Sequence, residues 1–249
     1  MSERTLEYHL TELVPDDFEF IPTLNIYVAK TKAKDSDDKV ITGINWYEAK
    51  LIIQRTGSCY FLLTSSQWEI SRKYLLENRP ELEKDFTSGE SELVDSLLVL
   101  PNGERPTLLI EYAKVERFGD EYGLIYGNAI EVPEMPLKSG HIQAWDENLG
   151  LPVKVGITPN EGFETAYFRV NIEHSYDHGL RAVVKSHRCL NGHKRLYTLT
   201  DSSPSDPNQH LSFRLGRTAN SNDSARSQKN ELSPTVLREL DEILSRADF

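Results

Sequence analysis

Asn45-Trp46-Tyr47-Glu48-Ala49-Lys50-Leu51-Ile52-Ile53-Gln54-Arg55, with Gly57 just beyond, is the stretch that decides the fold class. Asn45 is a favourable N-cap. Glu48, three residues on, completes the reciprocal pattern in which each side chain takes up a backbone amide left free by the first turn. Trp46, Ala49 and Ile53 fall on one helical face, and Gly57 stands where a helix most easily stops. Cys59-Tyr60-Phe61-Leu62-Leu63 then reads as extended. Ser66 with Glu69 gives a second capping pattern, opening a helix through Trp68, Ile70, Tyr74, Leu75 and Leu76 that Pro80 must end. Two short helices flanking an extended segment point to an α+β domain.

Upstream, Leu24-Asn25-Ile26-Tyr27-Val28-Ala29 alternates at period two and predicts a strand, followed by a polar loop over residues 30–38. Residues 1–23 carry Pro15 and Pro22 among acidic and apolar positions, and read as an arm against the main body. Downstream, strands are expected at Leu108–Ala113, Gly123–Gly127, Ala166–Val170, Leu180–Val184, Leu196–Leu199 and Leu211–Leu215, with a Pro-containing loop over 131–140. Long irregular segments separate them. The polar run Thr218-Ala219-Asn220-Ser221-Asn222-Asp223-Ser224-Ala225 reads as a linker, so the domain spans 24–217. Ser233-Pro234 opens a short helix with Leu237, Leu240, Ile243 and Leu244 on one side, which makes 218–249 a linker plus a helix for docking or homo-oligomer contact. A frayed tail is the alternative.

The 249 residues are 38% hydrophobic and 27% charged, ordinary for a folded protein. The net charge of −11 argues against binding nucleic acid or anionic membranes, because tracking phosphates needs clustered Lys and Arg. No apolar run is long enough to span a bilayer, and the start lacks the pattern of a secretory signal. The expectation is a soluble protein, cytoplasmic or virion-associated. Cys59 and Cys189 are the two cysteines, too far apart for a metal knuckle or a disulfide framework.

Three blocks resemble the formylglycine-generating-enzyme branch of the C-type-lectin fold. Ile44-Asn45-Trp46-Tyr47-Glu48-Ala49-Lys50 is similar to its helix opening. Leu62-Leu63-Thr64-Ser65-Ser66-Gln67-Trp68-Glu69-Ile70 is similar to its LPTEAEWEYA element. Leu180-Arg181, with Ser203-Pro204-Ser205 and Leu211-Ser212-Phe213-Arg214, is similar to its LRGGSW and closing GFR elements. The resemblance implies an α+β, C-type-lectin-like domain with two short helices, a small twisted antiparallel sheet and much irregular structure. Two departures bear on activity. The family's enzymes hold copper with a cysteine pair in this C-terminal segment, whereas here Cys189 stands alone, and Arg181-Ala182-Val183-Val184-Lys185 replaces the glycine-rich turn.

A closer resemblance is to the variable proteins of diversity-generating retroelements of phages, archaeal viruses and microbes. Its carriers are Trp145-Asp146-Glu147-Asn148-Leu149-Gly150-Leu151-Pro152 and Ala166-Tyr167-Phe168-Arg169-Val170, both ahead of the C-terminal segment. It implies that 180–214 is the rewritten, ligand-binding segment. The surface residues would be Ser186, His187, Arg188, Asn191, His193, Tyr197, Asp201, Asp206, Asn208 and His210, with Leu190, Leu196, Leu199 and Leu211 as anchors. Tyr, His, Asn, Asp and Ser are the residue types of adaptable binding surfaces, although they also fill ordinary polar loops. The expected partner is a macromolecule, a protein or cell-surface receptor.

Chemistry has weaker signals. Trp46 and Trp68 are expected in the core, and Arg214 as a structural ion-pair partner, with one of Phe213 and Arg214 pointing inward and the other outward. Cys59 is expected in a buried extended segment. His174 and His178 lie four apart without a third ligand at metal spacing, and Asp146-Glu147-Asn148 reads as a turn rather than a calcium loop. No nucleophile elbow, phosphate loop or dinucleotide fingerprint is present. The sequence therefore predicts a non-catalytic protein with no cofactor and no metal site. An oxidase-like enzyme on the same fold is the alternative.

Overall fold

The computed structural model describes residues 10–87, 89–100, 107–118, 121–159, 165–170, 180–190 and 193–219. In chain order these form β1 (Phe18–Ile21), β2 (Ile26–Ala29), α1 (Trp46–Thr56), β3 (Tyr60–Leu62), α2 (Ser65–Asn78) and α3 (Glu83–Thr87). There follow β4 (Ser91–Val99), β5 (Leu108–Phe118), β6 (Glu121–Glu131), β7 (Gly140–Asp146), β8 (Leu151–Gly156) and β9 (Ala166–Val170). The last are β10 (Leu180–Leu190), β11 (His193–Ser202), β12 (Leu211–Phe213) and β13 (Leu215–Thr218). The chain is α+β.

A four-stranded sheet runs β1-β2-β13-β3. A nine-stranded sheet runs β6-β5-β4-β10-β11-β9-β7-β8, with β12 parallel beside β4. The small antiparallel sheet that the resemblance implies is thus corrected: strand candidates that look short and isolated in sequence join one large sheet, in which β9 with β11 and β12 with β4 pair parallel. The long irregular segments expected between the last strands are also corrected, because β10 and β11 pair antiparallel from Leu180 to Ser202. Within the expected N-terminal arm, Phe18–Ile21 is a strand that pairs with β2 in register from Phe18↔Ala29 to Ile21↔Ile26. Residues 220–249, with the expected C-terminal helix, lie outside the described residues.

The helix ends follow from local chemistry. Asn45 caps α1, its side chain accepting from the Glu48 amide while the Glu48 carboxylate accepts from the Asn45 amide. In α2 the box sits two residues earlier than the sequence suggested: Thr64 is the cap and Gln67 its reciprocal partner. Thr64 and Gln67 offer the same hydrogen-bonding groups as Ser66 and Glu69, so the choice rests on where Leu63 must enter the core. Leu63 is 1% exposed. The shift frees Glu69 for a buried role described below.

β4 is buried along its whole length because both faces are covered. Leu93, Leu97 and Val99 meet Trp46, Ala49, Ile52 and Ile53 of α1, while Val94 and Leu98 meet Trp68 and Leu75 of α2. The sheet is therefore sandwiched between the two helices. Both tryptophans are in the core as expected, and each indole N–H is satisfied: Trp46 donates to the Val94 carbonyl at 2.9 Å and Trp68 to Glu92 at 2.9 Å.

Arg214 is the joint between the sheets, lying between β12 in one and β13 in the other. Every guanidinium hydrogen is used. Nε and Nη2 reach the two Glu92 oxygens at 3.1 and 3.0 Å, Nη2 also reaches Asp85, and Nη1 reaches the carbonyls of Ala29 and Lys30. The plane stacks 4.1 Å from the Phe86 centroid. The ion-pair expectation for Arg214 holds, but neither it nor Phe213 faces outward: both are buried, and the chain changes sheets between them. Cys59 also departs from expectation, standing half-buried on the turn before β3.

Candidate functional site

The candidate site is built on the β10–β11 hairpin and the strands beyond it. Side chains on β11 alternate: Leu196, Thr198 and Thr200 are buried, while Arg195, Tyr197 and Leu199 face the other way. Leu199 packs on the α1 side of the core, so among the described side chains of β11 that face opens outward at Tyr197 and Arg195. Registry carries the same face across the sheet. Ser186 of β10 stands opposite Tyr197, Tyr197 opposite Tyr167 of β9, and Tyr167 opposite His141 of β7. The rings touch: Tyr197 and Tyr167 have centroids 6.4 Å apart, and Tyr167 and His141 meet edge-to-face at 5.3 Å. His141 Nδ1 is shielded and has no hydrogen-bond partner. Arg195 and Arg169 are exposed beside this row.

The opposite face of the same strands is a fixed base. Lys185 is fully buried, and its ammonium donates to Glu69 at 3.1 Å, the Gly150 carbonyl at 2.7 Å and Thr198 Oγ1 at 3.0 Å, with the Trp145 ring 4.9 Å away. All three protons are placed. Burial pushes the Lys185 pKa down, against the attraction of Glu69. One lysine thus ties β10, β11, α2 and the turn after β7 together directly behind Tyr197 and Ser186. That turn is the one expected at Asp146: its carboxylate accepts from the Asn148 and Leu149 amides. Gly150 closes it with φ of +62°, where an added Cβ would lie 2.5 Å from the Ser66 nitrogen.

The expected surface residues separate into groups. Tyr197 is in the ring row. Ser186 and His187 are 3% and 2% exposed, so neither presents itself to a partner, because β10 at this level is covered on both sides. Asp206, Asn208 and His210 are exposed on the loop between β11 and β12. That loop is pinned over the α1 N-terminus: the Trp46 amide donates to Pro204 O at 3.0 Å, Asn45 Nδ2 to Ser205 O at 3.0 Å, and Ile44 bridges Asn208. Arg188, His193 and Asp201 occupy strand positions, Arg188 opposite Arg195, with their side chains outside those described. Asn191, and the His174 and His178 pair, lie outside the described residues. Tyr167, His141, Arg169 and Arg195 were missed. The available signal was the period-two placement of Tyr167 and Arg169 within an expected strand, but the parallel β9–β11 pairing that joins them to Tyr197 leaves no local mark.

A second concentration of polar chemistry lies where β4 parts from β5. Lys50 pairs with Asp95 at 2.7 Å, and Ser96 Oγ donates to Glu111 at 3.0 Å. Burial pushes both carboxyls up, Glu111 to about 7 with the neighbouring Asp95 adding to the rise. Tyr112 follows in a bulge with φ of +53°, a costly conformation for an aromatic residue, and its hydroxyl accepts from Gln67 at 3.3 Å. Asp95 is committed to Lys50 and Glu111 is 7% exposed, so this cluster reads as an internal joint.

Comparison of the chain with protein-family models, with curated proteins and with solved structures finds no match. Among the described residues, no three His, Cys, Asp or Glu side chains are grouped as a metal site requires, and no helix is long and apolar enough to cross a membrane.

Proposed function

We propose that this chain is a non-catalytic ligand-binding protein on a C-type-lectin-like scaffold, with its recognition face on the outward side of β11, β9 and β7. The observation that carries the reading is the Tyr197–Tyr167–His141 row, backed by the fully satisfied Lys185 joint. Rigid aromatic contact area on a fixed base is how a binding surface limits the entropy lost on association. The exposed loop bearing Asp206, Asn208 and His210 supplies adaptable hydrogen-bonding groups in the same segment. Diversification of that segment by a retroelement fits this division, since exposed positions can change without touching the base.

The test is to pan a random peptide library on the purified full chain and re-measure the enriched binders on the Tyr167→Ser/Tyr197→Ser variant. Binders that lose affinity at least about tenfold, a hot-spot-sized effect, support the face. Binders indifferent to the variant, or no enrichment at all, overturn it. The oxidase-like alternative predicts stoichiometric copper or iron on purified protein, and such a finding would displace the binding proposal.

A further inference from the structure

We infer that the β5 bulge is a proton-operated latch: it closes over Glu111 while that carboxyl holds its proton, and it opens, with Tyr112 leaving α2, when the proton is lost. Three features meet at this point. β4 and β5 pair as far as Ser96↔Glu111 and then separate, whereas β5 goes on along β6 through a bulge at Tyr112 and Ala113. Tyr112 holds φ of +53° and is 45% exposed, so the closed bulge keeps its backbone strain beside water. Beneath it lies Gly127 of β6, where an added Cβ would stand 2.5 Å from Ile110 Cγ2 and 3.6 Å from the Ala113 Cα. The closed form is tightly fitted.

The groups around Glu111 suit a neutral carboxyl. Ser96 Oγ accepts from the Ser65 amide at 3.0 Å, so its single hydrogen goes to Glu111 Oε1, also at 3.0 Å. Asp95 gives Oδ2 to Lys50 at 2.7 Å and keeps a buried Oδ1 with no hydrogen-bond partner. Burial raises the Asp95 pKa, while Lys50 and the amides of Ala113 and Tyr112 hold it back, so that carboxylate and its lysine are committed to each other and to the bulge. The remaining neighbours are neutral: Asn128 opposite Glu111 on β6, and Thr64, Ser65 and Gln67 at the start of α2. Lys114, further along β5, is exposed and stands 4.0 Å from Glu116. A charged Glu111 therefore faces Asp95 with no cation of its own among the described residues. Opening the bulge gives that charge water and lets Tyr112 relax, at the loss of the 3.3 Å contact between its hydroxyl and Gln67.

Burial, helped by Asp95, lifts Glu111 from 4.5 to about 7 in the closed form, and the opened carboxyl returns toward the lower value. The open fraction should therefore rise about tenfold per pH unit between about pH 5 and 7 and level off above, a total of roughly 300-fold. Amide hydrogen exchange of the full chain tests this, read residue by residue by NMR from about pH 5 to 8 and corrected for the intrinsic pH dependence of exchange. The Tyr112 and Ala113 amides should lose protection on that schedule. Near pH 7 they should be at least about a hundredfold less protected than the Leu97 and Leu98 amides of β4, which need deeper opening. In Glu111→Gln, which has no proton to lose, their protection should not change with pH. Protection of Tyr112 and Ala113 that is independent of pH in the parent, that falls equally in Glu111→Gln, or that matches Leu97 and Leu98 at every pH overturns the latch. A flat parent series overturns it even if the variant does not fold.

Discussion

Replacing Glu111 by Gln should stabilise the protein, and only above acidic pH. Glu111 sits under the β5 bulge, 7% exposed, with Ser96 Oγ on one oxygen and the Asp95 carboxyl nearby. Burial, helped by Asp95, lifts its pKa from 4.5 to about 7. A carboxyl whose folded pKa is raised leaves stability intact below its unfolded value and removes it as the pH climbs to the folded value. For this displacement the cost is about 3 kcal/mol, complete above about pH 7. Gln keeps the oxygen that Ser96 donates to and has no charge to desolvate. Urea unfolding of both proteins at about pH 4.5, 6, 7 and 8 gives the difference directly, other titrating groups cancelling in the comparison. The variant should match the parent near pH 4.5 and exceed it by up to about 3 kcal/mol near pH 8. A gap that does not change with pH, or a variant weaker than the parent near pH 8, would refute the placement of Glu111 as a buried carboxyl beside Asp95.

The other joints give sharper losses. Lys185→Met should destabilise the fold by about 2–3 kcal/mol in urea unfolding, because Glu69, the Gly150 carbonyl and Thr198 lose their shared donor while Arg72 stays 3.5 Å from Glu69, and Lys185→Met/Glu69→Gln should recover part of that. Arg214→Lys keeps the charge but cannot reproduce contacts with Glu92, Asp85 and two carbonyls at once, so a loss of about 2–4 kcal/mol is expected in the same assay. Gly150→Ala places a methyl 2.5 Å from the Ser66 nitrogen at positive φ, and should lower the melting temperature by several degrees.

The helices were legible because their signals are local. Asn45 with Glu48, Gly57 after Arg55, and Pro80 after Asn78 each act within one turn, and α1 begins and ends where they place it. β4 left no such mark. A strand covered on both faces has no period-two alternation, and this one carries Glu92, Asp95 and Ser96 inside, where their partners Arg214, Lys50 and Glu111 are supplied from distant parts of the chain. Buried charges break the apolar run that marks a strand covered on both faces. The same effect misdirected the reading of β10: Ser186 and His187, expected on the surface, are 3% and 2% exposed. Within the candidate site, Tyr197 was reached through the family resemblance, whereas Tyr167, His141 and the two arginines depend on strand registry that only the folded sheet sets.

The most direct test of the recognition surface is the DNA around the gene. The account predicts a near-copy of the segment encoding residues 180–214 beside a reverse transcriptase, with mismatches at template adenines. These should fall in codons for outward positions such as the half-buried Tyr197 and the exposed Asp206, Asn208 and His210. Codons for the buried base, Val183, Val184, Lys185, Leu196, Thr198 and Thr200, should be identical in both copies, since changes there would undo the support behind the face. Mismatches concentrated in those buried codons, or a gene with neither copy nor reverse transcriptase, would contradict the account.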